Sequence, residues 1–84
     1  MTRHELKTWP GFFDGLMTHQ KSAEVRRNDR GFKVGDLLVL REFNAETDDY
    51  TGRFENRIVS RVDDLRLVIG REGFVLLSFE EWKP

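Results

Sequence analysis

The chain contains no cysteine. That excludes a disulfide framework and a thiolate metal site. It holds two histidines, His4 and His19, too few for a His-rich metal centre. Its longest apolar run, Leu37-Leu38-Val39-Leu40, is far too short to cross a bilayer. The opening residues, Met1 to Glu5, carry no hydrophobic signal segment. Internal repeats, low-complexity stretches and linkers are absent. So are a Ser-His-Asp or Cys-His set, a Gly-rich phosphate loop and metal-ligand spacing. These absences predict a soluble, cytoplasmic protein with no metal, no cofactor and no membrane attachment.

What is present fits one domain, residues 1–84, with one core. Hydrophobic residues make up 38% and charged residues 35%, a globular composition with a heavily charged surface. Seven Phe, two Trp and one Tyr give the core large side chains to bury. The net charge of −1 argues against a general nucleic-acid coat. The charge is unevenly spread, however. Residues 19–33 carry five cations against two carboxylates, and residues 42–64 carry seven carboxylates against three cations. A local positive patch can hold an anion even on an acidic protein. Charges on a small domain can also cluster by chance.

Residues 3–8 alternate and predict a short strand, with His4, Leu6 and Thr8 on one face. Trp9-Pro10 ends it, and Pro10 suits the first turn of a helix. Phe12, Phe13, Leu16 and Met17 give that helix an apolar face. Gly11 and Gly15 weaken it, so packing must hold it. Residues 22–27 predict a second strand, with Glu24 and Arg26 on one face. Asn28 to Gly31 and Val34 to Asp36 read as turns, with Asp36 as a cap. Residues 37–43 form the strongest strand, apolar on both faces in its first half. That suits a barrel interior on one side and a helix on the other.

Residues 44–52 read as a polar hairpin loop. Residues 53–62 alternate, with Phe54, Asn56, Ile58, Ser60 and Val62 opposite Arg53, Glu55, Arg57, Val59 and Arg61. Residues 65–69 fit a strand or a helical turn, and 74–79 a final strand. One helix leaves no room for a parallel sheet with crossovers. The expected fold is mostly β (α+β), a five- to six-stranded antiparallel β-barrel with one short helix between the first two strands.

The functional signal lies between Lys21 and Arg30. Glu24 and Arg26 share a strand face, and Lys21 sits where the helix exit becomes that strand. Arg offers a planar fork for phosphate or a base edge, and Lys a point charge. Glu accepts hydrogen bonds from exocyclic amines. The set suits a nucleotide-like ligand. By spacing alone it also fits a solvated row of ion pairs, which is the simpler reading.

The segment His19-Gln20-Lys21-Ser22-Ala23-Glu24-Val25-Arg26 resembles the ASCH-domain signature of the PUA-like superfamily, Gly-x-Lys-x-x-Glu-x-Arg. His19 stands where that family usually has Gly. Arg27 to Arg30, the Gly35-Asp36 turn, the opening His4-Glu5-Leu6-Lys7 and the Trp9-Pro10 step resemble a small branch of the family found in phage and prophage. The likeness runs over nearly the whole chain. It implies a PUA-like barrel with an RNA-binding cleft between barrel and helix. A bacterial amidohydrolase acting on acetylated cytidine looks related, with its catalytic Lys matching Lys21. It has Thr where this chain has Glu24, and a Glu from a helical insertion that this chain lacks.

The leading expectation is therefore an RNA- or nucleotide-binding module. Lys21 and Arg26 would engage phosphate or base, and Glu24 would read a base edge or orient Arg26. Arg27, Asn28 and Arg30 would add contacts. His4, Lys7 and Trp9, from the first strand and its exit, complete the candidate set. His4 equally suits a half-buried structural role, Trp9 core packing, and Asn28 a turn. One alternative is a small hydrolase of a modified nucleoside or RNA, with Lys21 as base or nucleophile. Another is a phage-type protein-interaction module, which an exposed apolar patch at Trp9, Phe12, Phe13 or Trp82 would favour.

Overall fold

Strand β1 (Arg3–Thr8) buries His4, Leu6 and Thr8 and exposes the residues between them, as its alternation requires. The structure is a computed structural model and describes residues 1–82. Trp9 is extended at the N-cap and Pro10 takes the first helical position, so helix α1 spans Pro10–Met17. The missing N–H of proline costs nothing there. Only Phe13 and Leu16 of α1 are buried; Phe12 and Met17 are exposed. A two-turn helix touches the core along one three-residue-spaced row, narrower than the stripe its sequence offers.

The remaining elements are β2 (Ala23–Arg27), β3 (Leu37–Asn44), β4 (Asp49–Asp64), α2 (Arg66–Ile69) and β5 (Phe74–Glu81). Residues 65–69 thus resolve as a helical turn, and the loop before β4 is shorter than expected. The strands form one sheet in the order β1-β3-β4-β5-β2. All pairs are antiparallel except β1 with β3, which is parallel. The all-antiparallel expectation is corrected here. Helix α1 and β2 together supply the long crossover that a parallel pair needs. The sheet curls into a half-barrel, with β1 and β2 as its two edges and no ladder between them.

Strict alternation also fails in β4. The register slips between Val59 and Arg61, so Ser60 is an extra, bulged residue. Val59 and Val62, expected on opposite faces, therefore both pack on the core. The helix lies differently too. Phe13 and Leu16 join one cluster with Leu38 and Leu40 of β3, Leu6, Val75, Leu77 and Phe79. Helix and interior are on the same face of β3, not opposite faces, so α1 plugs the concave side of the sheet.

Asp36 ties the start of the chain to this core. It is buried, and its Oδ2 accepts from His4 Nε2 at 2.8 Å and from the Lys33 backbone N–H at 3.0 Å. Its Oδ1 accepts from the Thr2 backbone N–H at 3.3 Å. The backbone oxygen of Asp36 accepts from Val59 on β4 at 2.9 Å. Gly35, at φ +92, makes the turn that aims the carboxylate inward. Burial pushes the Asp36 pKa up, but the bonds from His4, Lys33 and Thr2 outweigh it and hold the carboxyl below the usual range. A carboxylate only accepts, so His4 Nε2 carries the proton of the shared bond.

A lowered folded pKa adds stability above the usual carboxylate range, lost as the pH falls through that range to the folded value. Asp36→Asn should lose about 1–3 kcal/mol in urea denaturation at neutral pH. The gap to wild type should narrow as the pH drops below about 4. A gap that stays constant with acidification would show that the Asp36 charge does not matter to the fold.

Candidate functional site

The two edge strands do not hydrogen-bond through a ladder, yet they are joined. Arg26, on β2, donates from Nη2 to the backbone oxygen of Lys7 on β1 at 2.8 Å. Arg30, in the following turn, donates from Nη1 to the backbone oxygen of Glu5 at 2.7 Å. Arg26 Nε also pairs with Glu24 on its own strand face. The two residues are two apart, so the strand period alone brings them together. The Glu24 side chain is 10% exposed, so little water reaches it beside that partner.

Between the edges lies an open cleft of about 460 Å³, within the range of small-ligand sites. β1 and its exit contribute Lys7, Thr8 and Trp9, α1 contributes Phe12, and the helix exit contributes Lys21. β2 contributes Glu24, Val25, Arg26 and Arg27. Four cations thus face one carboxylate in a single concavity. Trp9 and Phe12 are 48% and 57% exposed, so the cleft presents aromatic surface as well as charge.

The local folding of the helix exit places Lys21. The backbone oxygen of Gly15 accepts from the N–H groups of both Gln20 and Lys21. His19 closes this cap in the left-handed region at φ 60. A Cβ at Gly15 would come within 3.3 Å of Lys21 Cβ, so the glycine lets the chain fold back over the helix. Lys21 Nζ donates to the Ala23 backbone oxygen at 3.0 Å and lies 5.2 Å from the Phe12 ring centre. Lys7 Nζ lies 4.3 Å from the Phe43 ring centre, and the Arg27 guanidinium 5.5 Å from Phe74. Trp9 packs edge-on against Phe43.

Six of the expected site residues therefore line one cleft: Lys7, Trp9, Lys21, Glu24, Arg26 and Arg27. Three do not. His4 is buried against Asp36 and Phe32. Asn28 accepts from the Phe32 N–H and holds its own turn. Arg30 is engaged on β1. The expected row of ion pairs forms only in part, as Glu24 with Arg26. Thr8, Phe12 and Val25 are lining residues outside the expected set. The alternation of β1 turned Thr8 inward without saying what it would face, and Phe12 read as core. Among the described residues, no three His, Cys, Asp or Glu side chains gather as a metal site. No helix is long and apolar enough to cross a membrane.

Fold and cleft define a small β-rich half-barrel with a basic, aromatic-edged groove at its seam. The chain belongs to the family described as Domain of unknown function (DUF3850), whose model matches residues 3–79. It is 36% identical over 74 residues to the Uncharacterized 12.9 kDa protein in GpA 3'region of Escherichia phage P2. That match covers 88% of this chain and 64% of the relative, so the chain spans less than two thirds of the relative's length.

Arg26→Ala should cost about 2–3 kcal/mol, because it strands Glu24, and Arg30→Ala under about 1 kcal/mol. Adding Glu24→Ala to Arg26→Ala should recover part of the loss in urea denaturation; no recovery would mean the pair is not coupled. His19→Gly should stabilise by about 1 kcal/mol by relieving the left-handed backbone, read as a rise in Tm.

Proposed function

We propose that this chain is a single-stranded RNA-binding module, an ASCH-like member of the PUA-like superfamily, which binds in the seam cleft. The observation that carries the reading is four cations and two exposed aromatic rings on one concave surface. Cations track a phosphate backbone, and exposed rings stack unpaired bases; together they make a single-strand site. The roles divide by how much each side chain is already engaged. Arg26 is tied to Glu24 and Lys7, so its free edge turns toward the ligand without leaving the seam. Lys7, Lys21 and Arg27 have flexible stems and supply the phosphate contacts. Exposure of Trp9 and Phe12 alone would suit a protein partner equally; the cations beside them favour RNA.

The test is fluorescence anisotropy with an RNA of about eight nucleotides, of the order of one groove's site size. Binding should weaken as salt rises. Lys21→Ala and Arg27→Ala should each flatten the salt slope by roughly 0.7, the value of one lost phosphate contact on a single strand. No binding by the wild type at low salt overturns the reading. Capture of a nuclease-resistant protein partner through the same cleft would replace it.

A further inference from the structure

One residue of the cleft lining, Thr8, carries a buried polar atom with no hydrogen-bond partner among the described residues. Thr8 is 2% exposed, and its Oγ1 meets no hydrogen-bonding group among the described residues. A buried hydroxyl without a partner costs stability, and valine would fill the same volume without that cost. Its place is informative. Thr8 is the last residue of β1 and the most buried member of the cleft lining. The exposed aromatic members, Trp9 and Phe12, lie on the same lining.

We propose that the Thr8 hydroxyl is the inner contact for the edge of one unstacked base, inserted past Trp9 and Phe12. This rests on the RNA reading of the cleft and names what the cleft recognises: an extruded base, not only a charged backbone. A flat ring entering beside the aromatic side chains leaves its sugar and phosphate at the cleft mouth, near Lys21 and Arg27. Its polar edge then faces the deepest hydrogen-bonding group of the lining, which is Thr8. A hydroxyl both donates and accepts, so it serves any of the four base edges. The contact adds affinity for a base and does not choose among bases.

The experiment compares wild type, Thr8→Val and Lys21→Ala on two ligands. One is a single-stranded RNA; the other is an abasic ribose-phosphate strand of the same length. Thr8→Val should weaken RNA binding roughly tenfold, the scale of one hydrogen bond left unpaired in a buried site. Its salt slope should match wild type, because the contact is uncharged. Its affinity for the abasic strand should be unchanged. Lys21→Ala should weaken both ligands and flatten the slope. The Tm of Thr8→Val should equal or exceed that of wild type, since no protein bond is lost.

Wild-type RNA affinity in Thr8→Val overturns this proposal and leaves the RNA reading standing. An equal loss on the abasic strand also overturns it, by making Thr8 a backbone contact. So does a lowered Tm, which would assign the hydroxyl to the fold. Failure of the wild type to bind either strand at low salt overturns both readings together.

Discussion

The bond from Arg26 to the Lys7 carbonyl holds the two ends of one sheet together. An open five-stranded sheet leaves two edges of unpaired backbone groups, which is a liability in water. Here β1 and β2 curl toward each other but stop short of a ladder. A guanidinium spans the remaining gap, with Arg30 repeating the device at Glu5. A full ladder would fill the seam with backbone. An arginine bridge fixes the spacing of the edges and leaves a groove between them. The cleft exists because the half-barrel is stapled and not zipped.

That origin explains what the sequence disclosed and what it did not. The inward face of β1, the Pro10 helix start and the apolar β3 and β5 are local patterns, and each was readable. The β1–β3 pairing was not readable, because it joins strands separated by a helix, another strand and two turns. The bulge at Ser60 was hidden for a different reason. One extra residue leaves the alternation intact on either side, so only the partner strand reveals the slip. Phe12 shows the limit of periodicity. It lies at the right spacing for a core face, but α1 is too short to bury more than one row.

At the site, the convergence of Lys21, Glu24 and Arg26 followed from strand period and the helix exit. Placing His4 needed the tertiary partner. A histidine on an inward face can serve a cleft or a buried carboxylate, and Asp36, far along the chain, decides between them. Asn28 is used by its own turn, and Arg30 differs from Arg27 in what lies within reach. Sequence distance could not show that Arg30 meets the β1 edge.

Glu24 and Arg26 are thus already engaged by the fold, and this bears on how a motif of this kind is read. Their spacing satisfies a strand face, an ion pair and a seam staple before any ligand is considered. A match at those two positions reports the fold at least as strongly as it reports binding. Lys21, Arg27 and Thr8 are different. Among the described residues, the Lys21 side chain meets the backbone oxygen of Ala23 and a ring, Arg27 a ring, and the Thr8 hydroxyl has no hydrogen-bond partner. The half-barrel asks little of these three side chains, yet the cleft gathers them beside two exposed aromatic rings. Function is best sought where a side chain's position is fixed but its chemistry is not spent on the fold. By that criterion the weight of the site moves from Glu24 and Arg26 to Lys21, Arg27 and Thr8.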